Sequence, residues 1–181
     1  MPANDLAMRT KTPKESETIM SEVVLPNDTN ALHNLRGGKI LHWMDVASAI
    51  AAGRHAEAVV VTASVDNVSF ENPIKTGDVV TIRAKVTRTF KTSIEVYIEV
   101  SAENIPTRTH YQCNTAYYTF VALDSNGRPK PVAAITPETE DEQKKFDGAI
   151  RRRELRLVLA GRMKPEDAKE LRAFFSGLKA S

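Results

Sequence analysis

Three polar side chains, His42, Asp45 and Ser48, interrupt a segment in which ten of the thirteen residues from 40 to 52 are apolar. In a helix their i, i+3, i+6 spacing lines them up as one stripe. A carboxylate amid so many apolar neighbours costs free energy unless it is paired, solvated or put to use. A lone aspartate of this kind ordinarily reaches water or caps a loop. In a stripe that follows a polar loop and two glycines, it points to function rather than to plain solvation. The glycines are Gly37 and Gly38. The first N–H groups of a helix have no intrahelical partners, and the helix dipole is positive there. Glycines at such a start let a carbonyl oxygen approach and be polarised, as in an oxyanion hole, although a GG pair also serves a plain tight turn. Asp45 lies seven residues beyond Gly38, roughly 10 Å along a helix axis. One helix cannot bring both groups to one reacting carbon, whereas two antiparallel helices side by side can. This spacing predicts an obligate dimer with two sites at its interface.

The rest of the chain must hold that helix. Helical periodicity runs from residue 38 to about 55, apolar nearly all round, which predicts burial on most sides. Residues 17–25 read as a first strand stopped by Pro26, and residues 26–38 as a loop dense in Asn, Asp and Gly. Residues 58–65 form a continuous β-branched run, as in a buried strand. Residues 78–89 and 93–101 alternate with period 2. Val80, Ile82, Ala84, Val86 and then Ile94, Val96, Ile98, Val100 point one way; Thr81, Arg83, Lys85, Thr87 and then Glu95, Tyr97, Glu99 point the other. Residues 111–123 give a long aromatic strand, with Phe90–Thr92 as a hairpin turn. Five strands have one face to cover, and one long helix can cover it. Residues 1–16 read as a mobile arm, 17–137 as the main domain and 138–181 as a helical extension. In the extension, Leu171, Phe174, Phe175 and Leu178 share a face of a helix spanning 165–178.

Composition limits the function classes. The 181 residues carry 25 Lys and Arg against 23 Asp and Glu, with 11 against 7 of these in residues 141–181. A nearly neutral body argues against a broad nucleic-acid footprint, and only a local basic patch remains near the C-terminus. Cys113 is the single cysteine, so no intrachain disulfide and no cysteine-built zinc cage can form. There is no apolar stretch near 20 residues and no secretory h-region, which predicts no membrane span and a cytoplasmic protein. The sequence lacks a G-x-S-x-G elbow, an H-E-x-x-H helix and a G-x-G-x-x-G turn, which speaks against serine-hydrolase, zincin and dinucleotide-binding readings.

The segment LPNDTNALHNLRGGKILHWMDVASAIAAGRHA, followed by VVTASVDNVSFENPIKTGDVV and TFKTSIEVYIEVSAENI, resembles the acyl-CoA thioesterases of the hot-dog fold. It is similar above all to the cytosolic brain-type acyl-CoA hydrolases and their bacterial single-domain relatives. The likeness spans about residues 17–150. It implies an α+β hot-dog fold, a five-stranded antiparallel sheet wrapped around a central helix. It implies that Asp45 is the general base or nucleophile of thioester hydrolysis. Asn30, from the opposite subunit, would help hold water or the carbonyl, and the backbone of Gly37 and Gly38 would face the thioester oxygen. Because both Asn30 and Asp45 are present, a homodimer can build two complete sites, and trimers of such dimers would give a hexamer.

An acyl-CoA hydrolase acting on medium- to long-chain substrates needs positive charge for the CoA phosphates and an apolar tunnel for the acyl chain. Candidates for CoA are Arg54, Arg88, Lys91, Thr92 and Ser93; candidates for the tunnel are Trp43, Met44, Val68 and Phe70. No cofactor, metal, nucleic acid or membrane is expected. Two alternatives share this scaffold. One is a non-catalytic acyl-CoA sensor, against which the retention of both Asn30 and Asp45 speaks. The other is a dehydratase, which usually places a histidine where Asp45 stands.

Overall fold

The computed structural model describes residues 10–66 and 68–178. Residues 1–9 of the expected arm, Asn67 of the VDNVSF motif and the side chain of Leu178 lie outside the described residues. The chain packs as two units divided between Thr136 and Pro137.

In the first unit, β1 (Thr10–Lys11) and a short α1 (Pro13–Ser16) lead into β2 (Thr18–Val23). Then come α2 (Gly37–Ala56), β3 (Val59–Asp66), β4 (Val79–Thr89), β5 (Ser93–Asn104), β6 (Thr109–Leu123) and β7 (Ala134–Ile135). Strands β2 to β6 make one antiparallel sheet in the order β2-β4-β5-β6-β3. The predicted alternation is realised: Val80, Ile82, Ala84, Val86, Ile94, Val96, Ile98 and Val100 are all fully buried. They meet the face of α2 formed by Ile40, Trp43, Met44, Ala47, Ala51 and Ala52. This is the hot-dog arrangement of sheet and central helix. Thr87 and Glu95, expected on the solvent side, are buried instead, and the Thr87 hydroxyl donates to Glu95 Oε1 at 2.7 Å.

Three expectations need correction. Residues 10–16 are not a loose arm. The buried Lys11 ammonium donates to the carbonyls of Arg54 and His55 at 3.1 and 2.9 Å and to Glu57 at 2.7 Å. A cation at a helix C-terminus satisfies orphan carbonyls and the negative end of the dipole. Second, β3 is not a buried strand. It pairs only with β6, and Val59, Val61 and Val65 stand exposed along it. Third, α2 is buried on one face only. Leu41, Asp45, Val46 and Ala49 are half-buried and Ile50 is exposed, so its apolar composition exceeds what one sheet covers.

The second unit holds α3 (Glu140–Leu159), a 3-10 turn over Pro165–Asp167 and α4 (Lys169–Leu178). A capping box between Thr139 and Glu142 starts α3. The expected helix from residue 165 is thus split, with Pro165 in the 3-10 turn. Phe174 and Phe175 are exposed, and the Arg151 guanidinium lies 4.8 Å from the Phe174 ring. No helix of the described residues is long and apolar enough to cross a membrane.

Candidate active site

The N-terminus of α2 is the first part of the site. The N–H groups of Lys39 and Ile40 both turn back to the Arg36 carbonyl, at 2.9 and 3.2 Å. Those of Gly37 and Gly38 find no acceptor among the described residues. Neither glycine has a positive φ, so the turn does not demand them and the tight-turn explanation fails. A Cβ at Gly38 would touch nothing within 4 Å, and one at Gly37 would meet only Phe70 Cζ at 3.6 Å. The two glycines keep a pair of unspent donors open to approach from outside.

The polar loop before the helix is braced against this start. The Arg36 N–H donates to the Asp28 carbonyl at 3.0 Å, and its guanidinium donates to the Asn27 carbonyl at 2.7 Å. Lys39 pairs with Asp28 at 3.1 Å and holds that carboxyl below the usual carboxylate range. Asn30 accepts from the N–H groups of Leu32 and Asn34 at 2.9 and 3.2 Å through Oδ1. This Asx-type turn fixes the side chain and leaves the Nδ2 amide without a partner among the described residues. His33 next to it takes a positive φ of 59°. Within one chain no hydrogen bond joins Asn30 to Asp45.

Asp45 sits on the half-covered face of α2. Its Oδ1 accepts from Thr62 Oγ1 on β3 at 2.8 Å, which orients the carboxylate and leaves Oδ2 unspent. Burial and the Asp45 charge together push the Tyr118 phenol up to about 12. The stripe proposed for His42, Asp45 and Ser48 does not act as a unit. The buried Ser48 hydroxyl folds back onto the Met44 carbonyl of its own helix, and His42 is exposed with no bond to Asp45. Thr62 escaped the sequence reading. The signal available was weak: one of two hydroxyls, with Ser64, in the run of valines and small residues that follows the helix.

A cleft of about 380 Å³ opens at the helix start. Phe70, Asn72 and Pro73 form its exposed rim; Leu35, Ile40, Ile74, Cys113 and Asn114 form its buried walls. Burial pushes the Cys113 thiol up to about 12, so it is inert there. Of the acyl-tunnel candidates, Phe70 lines this cleft. Met44 is fully buried and its sulfur accepts from Asn114 Nδ2 at 3.3 Å. Trp43 is buried with the Lys39 ammonium 5.3 Å from its ring, and Val68 is half-buried.

The CoA candidates divide. Arg54 is committed to the Glu17 carbonyl and the Thr18 hydroxyl, each at 3.0 Å, and so ties β2 to the end of α2. Arg88, Lys91, Thr92 and Ser93 gather at the β4–β5 hairpin. Its backbone is fixed by Phe90 N–H donating to the Ser93 carbonyl at 2.8 Å and Ala122 N–H donating to the Thr92 carbonyl at 3.0 Å. The Lys91 side chain is exposed. Among the described residues no cluster of His, Cys, Asp and Glu could hold a metal ion.

Comparison with known proteins bears directly on this geometry. Residues 32–108 match the model of the Thioesterase superfamily. An uncharacterised acyl-CoA thioester hydrolase of Bacillus subtilis is 40% identical over 139 residues, which cover 77% of this chain and 81% of that protein. An apo-hexameric acyl-CoA thioesterase superposes with a TM-score of 0.82 at 38% identity, over 84% of this chain and 98% of its own. An acyl-CoA hydrolase of Staphylococcus aureus, solved with butyryl coenzyme A, coenzyme A and coenzyme A disulfide, gives 0.79 at 36% identity over 84% and 95%. That hydrolase was also solved with an asparagine, an aspartate or a threonine replaced by alanine, residues separated by 15 and 17 positions in that order. Asn30, Asp45 and Thr62 stand at the same two intervals.

Proposed function

The chain belongs to the thioesterase superfamily as an acyl-CoA hydrolase of the hot-dog fold, and from that premise we propose that it cleaves medium- to long-chain acyl-CoA at sites shared between two copies of itself. The observation that carries the reading is the Thr62–Asp45 hydrogen bond. It fixes a carboxylate on the helix face that its own sheet leaves half-covered.

In this mechanism the thioester oxygen lies against the unspent N–H groups of Gly37 and Gly38. They stabilise the negative charge that develops there. Asp45 comes from the other subunit, because along one helix the two groups are roughly 10 Å apart. Acting as a base, Asp45 takes a proton from water as the water oxygen bonds to the carbonyl carbon. The C–S bond then breaks, and the proton passes to the departing thiolate. If Asp45 attacks directly, its carboxylate oxygen bonds to the carbonyl carbon, the C–S bond breaks and CoA leaves as thiolate; water then cleaves the mixed anhydride to free acid and restored Asp45, its proton passing to the thiolate. Asn30, its Oδ1 locked by the loop, offers Nδ2 to the water or the carbonyl. Arg88, Lys91, Thr92 and Ser93 contact the CoA portion, and no cofactor enters the balance. The uncovered apolar face of α2 and the exposed edge of β3 supply the surface for pairing. The hexameric state of a relative supports assembly into trimers of dimers.

Release of free thiol from palmitoyl-CoA is the test. Wild-type turnover with at least about a 10²-fold loss of kcat in Asp45→Asn is expected, the scale of a general base. Tight binding of palmitoyl-CoA without release would instead make the protein a sensor.

A further inference from the structure

The cleft at the helix start is apolar on most of its walls, but its floor carries an amide. Asn114 on β6 is 1% exposed. Its Nδ2 donates to Met44 Sδ at 3.3 Å. A thioether can only accept, so the opposite orientation of the amide is worse and the carbonyl oxygen is turned away from Met44. No donor among the described residues reaches that Oδ1. A buried carbonyl without a donor is costly, and an unsubstituted hydrocarbon lying against it would leave that cost standing. A bound group carrying an O–H or N–H would remove it.

The walls indicate which part of an acyl-CoA enters. Leu35, Ile40, Phe70 and Ile74 suit a hydrocarbon. The pantetheine arm carries two amides and suits the polar outer lining of the cleft, Asn34, Glu71 and Asn72, rather than its buried part, where Asn114 is the one polar side chain. The cleft mouth is the α2 N-terminus, where the thioester oxygen is placed above, so the acyl chain runs inward from there. We propose that Asn114 is a specificity-determining residue that favours acyl chains bearing a hydroxyl or other hydrogen-bond donor over plain alkyl chains of equal length. The proposal rests on the hydrolase reading and refines the substrate class at that same site. Only the relative rates of two substrates depend on it.

The experiment measures kcat/KM for hexanoyl-CoA and octanoyl-CoA and for their hydroxylated counterparts, with the hydroxyl placed at successive positions. Wild type should prefer one hydroxylated isomer about ten-fold, the order of one buried hydrogen bond. Asn114→Leu, close in volume, should abolish that preference and raise kcat/KM for octanoyl-CoA. Asn114→Ala should abolish the preference as well, and serves if the leucine variant fails to fold. Equal rates for every matched pair in wild type would overturn the proposal, as would a preference that survives both substitutions. A uniform loss across all substrates would overturn it too, assigning the carbonyl to the pantetheine arm or to packing alone. Absence of hydrolysis of any acyl-CoA by wild type would be a different failure, that of the hydrolase reading itself.

Discussion

In the proposed mechanism Asp45 serves only if something holds it still. A carboxylate on a half-open helix face samples several rotamers, and the 2.8 Å bond from Thr62 Oγ1 selects one. Thr62→Val keeps the β-branched shape and deletes the donor. It should lower kcat about ten-fold, less than Asp45→Asn, while KM for the same acyl-CoA stays within about two-fold, because the bond aims the base without gripping substrate. Steady-state kinetics on both variants check this. The two residues differ in how legible they were. Asp45 announces itself as an acid in a run of apolar residues. Thr62 is an ordinary strand residue seventeen positions further on, and only the packing of β3 against α2 makes it a partner. Asn30 was legible only through family resemblance, since a lone asparagine in an Asn-rich loop carries no pattern of its own.

At the scale of elements, strands with one buried face were read correctly because period-2 alternation encodes that burial directly. Where sequence pattern and single-chain burial part, as in β3 and the outer face of α2, the surplus of apolar residues points beyond the chain, which local periodicity cannot resolve. The far end of α2 shows a second kind of hidden detail. His55 is buried, its Nε2–H donates to the Ala133 carbonyl at 2.9 Å, and its Nδ1 has no partner. Burial pushes His55 below its ordinary 6.5, and the nearby Lys11 ammonium adds to this; Ala133, Glu15 and Glu57 work the other way. The unfolded chain therefore takes up a proton near pH 6.5 that the folded chain refuses. His55 costs nothing above that pH. Below it, stability falls with a slope approaching about 1.4 kcal/mol per pH unit, until the folded histidine also protonates. Thermal unfolding followed from pH 8 to pH 5 should show this acid loss in wild type and a shallower one in His55→Gln, whose amide can still reach Ala133.

For the whole molecule the decisive question is whether a complete site needs two chains. Asp45 and the Gly37–Gly38 amides are rigidly separated on one helix, and Asn30 is locked in a loop that makes no bond to Asp45. On the proposed reading, the parts are present in each chain but not assembled by it. The proposed two-fold dimer, built on the open face of α2 and the β3 edge, would be isologous, so that each subunit would lend its Asp45 to the site its partner opens. Asn30→Ala and Asp45→Ala should each be inactive alone. In a hybrid dimer one site inherits both lesions and the other inherits none. Mixing equal amounts after subunit exchange should then restore about a quarter of wild-type activity, since half the dimers are hybrids and each carries one intact site of two. Hybrids verified by a tag on one subunit and still inactive would place Asn30 and Asp45 in the same chain's site. The same proposal predicts concentration-dependent activity, because a subunit diluted below its dimer dissociation constant should keep its fold elements and lose its turnover, which rates measured across a dilution series check.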